Sequence, residues 1–244
     1  MIAKNLKLTI EYDGTDFAGW QVQPAERTVQ GEIEKVLTTI LGEKMELVGS
    51  GRTDSGVHAF GQVANFILEK EVDLPKLLHS LNSMLPTDIV IRELAEVPGD
   101  FHARYSAISR IYSYRIHLGR TALNHRHVWE SPYDLGLDEL RWCAEVIRGE
   151  HDFTSFCVAK SQKDDCSCEV MDADWKKVGR ELLFHIEADR FLHTMVRSLV
   201  GTMVEVGRGF LPKEEFREML KLEDRQKSGP TAPAKGLCLV AVKY

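Results

Sequence analysis

Nine residues, Gly51-Arg-Thr-Asp-Ser-Gly-Val-His-Ala59, hold the densest chemistry in the chain. Gly51 and Gly56 stand on either side of Asp54 and permit a sharp backbone path that can present one carboxylate outward. Such a carboxylate can act as a nucleophile or as a general base. Arg52, two residues earlier, favours the ionised form and can fix its rotamer, and His58 reads as a hydrogen-bonding support of the loop sooner than as a proton shuttle. The plainer account of an Asp beside Gly and Ser is a turn residue that bonds its own backbone, and these nine residues alone do not separate the two.

A second constellation is Arg110-x-Tyr112-x-Tyr114. Alternate residues share one face of a strand, and an aromatic among cations can stack a splayed base while phosphates are neutralised; the plain alternative for Tyr112 is a half-buried strand tyrosine. A third lies between Phe191 and Val206. Met195, Val196, Leu199, Val200, Met203 and Val204 form an apolar stripe, while Arg190, His193, Thr194, Arg197 and Gly201 recur at three- and four-residue spacing on another face. This predicts a helix with one face packed and the other able to look into a cleft.

Other features carry less. Gly49-x-Gly51 lacks the third glycine and the Lys-Ser/Thr of nucleotide-binding loops, so no dinucleotide or ATP site is expected. His125-x-His127 and Cys166-x-Cys168 lack second pairs at structural-zinc spacing and read as solvent-exposed loop residues, so the expectation is no metal and no cofactor. Five cysteines, an odd number, argue against a disulfide framework. With no signal-like start and no apolar run of about 18 residues, a reducing cytoplasm and no membrane are expected.

The elements that must position these groups follow from periodicity. Leu6, Leu8, Ile10 and Tyr12 alternate with polar residues as in a half-buried strand. The spacing predicts a helix over Thr28–Leu41 with Gly42 as its stop, a loop at 49–56 between strands, a helix over Leu74–Leu85 with Pro75 in its first turn, and a strand over Ile89–Val97. The order β-α-β-β-α-β is that of a split βαβ unit. A strand at Ile108–Leu118, a helix at Leu137–Ile147, a hairpin from Val170 to Ala188 turning at Gly179, the helix from Phe191 and a strand at Leu237–Tyr244 repeat it loosely. The expected architecture is α+β: two ferredoxin-like (split βαβ) halves, 1–103 and 104–244, with antiparallel sheets backed by helices and an active-site cleft between them. Gly119–Asp134, weakly periodic and rich in His and Arg, reads as an exposed loop.

At 244 residues and 43% apolar, the chain has ample core material. A net charge of -6 argues against a protein that binds polyanions over its whole surface. The charge is segregated, however: residues 101–130 hold five Arg against one acid, and 176–244 hold 13 bases against 9 acids. Binding to nucleic acid would therefore be confined to a basic cleft with acidic outer surfaces.

The run Gly51–Ala59 resembles the signature of pseudouridine synthases of the TruA type. Further similar motifs span nearly the whole chain: Tyr12-Asp-Gly-Thr-Asp-Phe-x-Gly-Trp-Gln21, Leu85-Pro-Thr-Asp-Ile89, Phe101-His-Ala-Arg104, Arg110-x-Tyr112-x-Tyr114, Asp152-Phe-Thr-Ser-Phe156, Phe191-Leu-x-x-Met-Val-Arg197 and Thr231-Ala-Pro-Ala-Lys-Gly236. The resemblance implies an enzyme that isomerises uridine to pseudouridine on the 3′ side of the tRNA anticodon stem-loop (positions 38, 39 and 40). It makes Asp54 the catalytic nucleophile or base, with Arg52 and Arg197 in support. Tyr112 and Arg110 contact the substrate, and Gly51, Thr53, Gly56 and His58 shape the loop. It also implies a homodimer whose two subunits are bridged by the tRNA. Two readings compete: a related synthase acting on another RNA, and a non-catalytic RNA-binding protein. Leu118–Asp134 and Lys160–Cys168 match nothing in the family pattern, and the second is polar enough to be expected mobile.

Overall fold

The computed structural model describes residues 3–158, 165–222 and 224–244. Its packing separates two compact units, Met1–Ile108 with Leu239–Tyr244, and Ser109–Cys238. In the first, alternation along β1 (Lys4–Tyr12) buries Leu6, Leu8 and Ile10 completely. The Thr28 side chain accepts the Gly31 N–H to cap α1 (Val29–Leu41), and Gly42 ends that helix in the left-handed conformation. β2 (Val48–Gly49) and β3 (His58–Leu68) flank the glycine-rich loop; α2 (Leu74–Met84), capped by Asp73, leads to β4 (Ile89–Val97).

The strands pair antiparallel in the order β4–β1–β3, with β2 on β3. β1 is thus central, and α1 and α2 bury Val29, Ile33, Leu37, Leu77 and Leu81. On β3 both Asn65 and the alternate residues Ala64 and Phe66 are buried. Buried amides must be paired: Asn65 Nδ2 donates to Asn5 Oδ1 and Asn65 Oδ1 accepts the Ala103 N–H, each at 2.9 Å, while Asn5 Nδ2 reaches the carbonyls of Pro98 and Phe101. Two asparagines therefore sew the segment 98–103 to β1 and β3.

The second unit contains β5 (Ser109–Leu118), β6 (Trp129–Ser131), β7 (Gly149–Asp152), β8 (Ser167–Val178) and β9 (Glu181–Ala188). Its helices are α3 (Leu137–Val146), α4 (Met195–Gly207) and α5 (Lys213–Leu222). The antiparallel order is β5–β9–β8–β7, and β6 pairs with β5 in parallel. Trp175 stacks on Phe184 at 4.9 Å and directs its indole N–H at Met203 Sδ, tying the sheet to α4. The last strand, β10 (Leu237–Lys243), lies next to β3, so from Leu239 onward the chain packs with the first unit. The boundary drawn at 103/104 differs from this division, because a strand's neighbours are set by pairing and not by chain order.

Several expectations change in the second unit. α4 begins at Met195, not Phe191, because Thr194 adopts a left-handed conformation with φ 64° that interrupts the helical path. Arg190, His193 and Thr194 accordingly precede the helix and do not share its face. Gly201 does lie on α4, but a Cβ there would stand 1.7 Å from the Pro230 carbonyl oxygen; that face is covered by backbone and does not look into open space. Cys166 and Cys168, expected in an exposed loop, are buried, since Ser167 opens β8 and carries both thiols inward. Within 119–134, Trp129–Ser131 forms a strand, and Val128 and Ser131 are buried. The part of the 160–168 segment before Asp165 lies outside the described residues.

Candidate functional site

Asp54 is held by a bed made from residues 13–20. On its N-terminal side the Thr53 hydroxyl shares a buried hydrogen bond of 2.8 Å with the Tyr12 hydroxyl, and the Thr53 carbonyl accepts the Trp20 N–H at 3.1 Å. On its C-terminal side the Ser55 hydroxyl donates to the Phe17 carbonyl at 3.1 Å, and the Gly56 N–H reaches the same oxygen at 3.4 Å. The Val57 N–H closes a tight turn onto the Asp54 carbonyl. Both peptide neighbours are therefore fixed, while the Asp54 side chain remains half-buried and accessible. At the loop entrance Ser50 Oγ donates to Gln62 Oε1, whose Nε2 donates to the Gly51 carbonyl, so the buried Gln62 anchors β3 to the turn.

The bed itself demands glycine at two points, Gly14, where a Cβ would run into the Val57 carbonyl, and Gly19. Gly19 has φ 106°, a region that side-chain-bearing residues rarely adopt, and a Cβ on it would sit 2.7 Å from the Thr53 carbonyl oxygen. His58 Nδ1 accepts the buried Gly14 N–H at 3.1 Å and lies 3.1 Å from Asp13 Oδ1. The two contacts ask opposite protonation of that nitrogen. Asp13 Oδ1 already receives the Thr15 N–H and hydroxyl, and Nδ1 serves the Gly14 amide as its acceptor. Phe17, at the centre of the bed, is buried beneath the Arg27 guanidinium, 4.0 Å from its ring centre, and Arg27 is clamped by a two-pronged pair with Asp88. Arg52 is exposed, and among the described residues it makes no ion pair or hydrogen bond with Asp54.

In the second unit, Arg110 and Tyr112 are half-buried on β5 and Tyr114 is fully buried. The Tyr112 ring meets Phe191 edge-on, with centroids 5.0 Å apart and an interplanar angle of 85°, a favourable aromatic geometry that leaves little freedom to the ring. Arg110 Nη1 donates to the Asp189 carbonyl at 2.7 Å, tying β5 to the turn that carries Phe191. Arg197 Nε donates to the Ala232 carbonyl at 2.9 Å, and the Ala232 N–H returns to the Arg197 carbonyl at 3.0 Å. The Tyr114 hydroxyl donates to the Pro233 carbonyl at 2.7 Å. Burial pushes that hydroxyl far above the usual tyrosine range, with the nearby Arg197 charge pulling the other way, so Tyr114 stays a neutral, structural donor. The segment 232–233 therefore fixes both Arg197 and Tyr114.

Three of the five thiols are held in the neutral form. Burial pushes Cys143, Cys157 and Cys168 up to about 12, so none supplies a thiolate at neutral pH. The structure thus gathers Gly51, Arg52, Thr53, Asp54 and Gly56 on one loop of the first unit with His58 opening the strand that follows it, and Arg110, Tyr112 and Arg197 in the second. Arg190 and His193 fall away from the helix face assigned to them. Sequence reasoning attached no role to Tyr12, Phe17, Gly19 and Trp20, although their spacing in the run 12–21 was a usable signal. Nor did it attach one to Phe191, whose part depends on a turn that periodicity misread as helix.

Comparison with known proteins gives one family. The model of the tRNA pseudouridine synthase family matches residues 8–106 and 144–244. A tRNA pseudouridine synthase A of Brevibacillus brevis is 44% identical over 243 residues, covering 99% of this chain and 100% of its own. Those of Anoxybacillus flavithermus and Halalkalibacterium halodurans are each 42% identical, covering 99% and 96% of this chain and 99% and 90% of their own.

Proposed function

Since this chain belongs to the tRNA pseudouridine synthase family, and is an isomerase that converts uridine to pseudouridine in tRNA, we propose that Asp54 is its catalytic carboxylate and acts as nucleophile or base on a flipped-out uridine. The observation that carries this is the anchoring of both peptide neighbours of Asp54 with its side chain left accessible, the preorganisation a catalytic group requires. In the reaction the C1′–N1 bond breaks, the uracil turns, and a C1′–C5 bond forms; C5 loses a proton and N1 gains one. Atoms and electrons balance without a redox partner, and the carboxylate is regenerated.

Tyr112 stacks on the detached uracil, its ring steadied edge-on by Phe191. Arg110 holds that turn in place through the Asp189 carbonyl. Arg197, fixed by Ala232, is the basic residue in support of catalysis. Arg52, exposed, meets the RNA backbone. The target uridines are those on the 3′ side of the anticodon stem-loop, the working form is a homodimer, and its place is the cytoplasm. Both units are read as split βαβ variants, supported in the first by the order β4–β1–β3 with β2 on β3.

The test is tritium release from C5-labelled uridine in unmodified tRNA. Asp54→Asn is expected to abolish release while tRNA affinity stays within a few-fold. Retained turnover in Asp54→Asn would overturn the assignment.

A further inference from the structure

The chain between β5 and β6 contains Arg120, His125, Arg126 and His127 and no acid, and residues 122–127 are all exposed. A free loop of this kind would lose much of its binding energy to ordering. This one is already built. Gly119, at φ 84°, donates its N–H to the Ser131 carbonyl at 2.8 Å. One Glu130 oxygen accepts the Thr121 N–H at 2.9 Å, and Lys235 Nζ lies 3.5 Å from the other. The same ammonium donates to the His125 carbonyl at 2.8 Å. Within the loop the His127 N–H reaches the Asn124 carbonyl, and His125 Nδ1 faces the Ala122 carbonyl at 2.9 Å.

Lys235 lies in a short turn, Ala234–Gly236, seated directly on β5: a Cβ on Gly236 would be 2.6 Å from the Tyr114 ring, and Tyr114 bonds the Pro233 carbonyl. Lys235 therefore fastens the loop to the segment that also fixes Tyr114 and Arg197. The Thr121 N–H first, then the charges of Lys235 and Arg120, hold Glu130 below the usual carboxylate range, so its charge is engaged within the clasp.

We propose that Lys235 and Glu130 form a clasp that preorganises the loop 119–128 as a phosphate-binding arm, with Arg120 and Arg126 on the tRNA backbone and Lys235 as a positioning residue. This rests on tRNA being the substrate. A preformed arm binds polyanion without first being ordered, and each phosphate it neutralises releases counterions.

The experiment measures KM, kcat and the salt dependence of KM with full-length unmodified tRNA. For R120Q/R126Q, KM is expected to rise with kcat within about twofold, and the log–log salt slope to fall by about 1.4–1.8, at roughly 0.7–0.9 per phosphate contact. For Lys235→Met, which leaves both arginines in place, KM is expected to rise about 5-fold with the slope retained, and Lys235→Arg to restore it. An unchanged KM and slope in R120Q/R126Q would overturn the arm; an unchanged KM in a folded Lys235→Met, or failure of Lys235→Arg to restore it, would overturn the clasp. Should Lys235→Met lack a cooperative melt, Glu130→Gln, which takes the charge from the other half of the clasp, replaces it: a raised KM supports the clasp and an unchanged KM overturns it. Asp54→Asn, assayed alongside, reads the catalytic assignment independently.

Discussion

Replacing Gly19 by Ala tests whether the bed of residues 13–20 positions the catalytic carboxylate. The added Cβ would stand 2.7 Å from the Thr53 carbonyl oxygen, in the peptide adjoining Asp54. Relief to a contact of about 3.0–3.4 Å, the tight end of ordinary packing, moves that carbonyl by about 0.3–0.7 Å. The Thr53 hydroxyl is pinned to Tyr12 on its other side, so the peptide tilts instead of translating, and the Trp20 N–H loses its alignment. If a 1 Å misplacement costs about 100-fold in rate, this displacement costs about 4- to 25-fold in kcat. The strained φ of 106° adds a folding penalty of about 1–2 kcal/mol, or a Tm lower by roughly 2–8 °C. The control is Gly42→Ala, also at positive φ (74°) but with nothing within 4 Å of its Cβ: it should lower Tm by a similar amount and leave the rate alone. Single-turnover tritium release below both melting temperatures separates the outcomes. A Gly19→Ala enzyme with a lowered Tm and wild-type rate would refute the positioning argument.

Further consequences can be checked together. Gly201→Ala forces a Cβ to 1.7 Å from the Pro230 carbonyl oxygen; it should destabilise the fold by roughly 3 kcal/mol or more, as overpacking against backbone does at its worst, and displace the Ala232 strap from Arg197, read as a lowered Tm and a lowered kcat. Tyr114→Phe removes a buried donor from the Pro233 carbonyl and should cost about 1–3 kcal/mol by chemical denaturation. All five cysteines are buried and free, so a thiol reagent at pH 8 should label none in the native protein and five after denaturation. Cys143 has an ordinary value of 9.0 and is pushed up to about 12 by burial. Its raised folded value contributes stability that is fully present below pH 9 and lost between pH 9 and 12, at about 1.4 kcal/mol per pH unit; Cys143→Ala should flatten that part of the pH–stability curve.

Much of the first unit was legible because its signals are local. Strand alternation at Leu6, Leu8 and Ile10, the Thr28 and Gly42 caps and the Pro75 first turn each act within a few residues, and α1, α2 and β4 fall within one residue of expectation. The second unit was less legible where a single dihedral or a distant partner decides. Periodicity continued the helix back to Phe191, but Thr194 at φ 64° halts it; β6 is three residues long and exists because β5 pairs with it; Cys166 and Cys168 look polar by their neighbours and are buried where the start of β8 pairs with β7.

By itself the sequence determined which chemistry is available: a loop Asp between glycines, an aromatic strand position between cations, no cofactor loop and a segregated charge. These depend on residue type and short spacing, which need no fold to be read. Only the tertiary structure decided what holds that chemistry still. Phe17 and Trp20 brace Asp54 from over thirty residues away, Ala232 and Pro233 grip Arg197 and Tyr114, and Lys235 clasps a loop 110 positions earlier in the chain. Such contacts are hydrogen bonds to backbone carbonyls, which every residue type offers equally, so residue identity leaves no trace of them until the chain has folded.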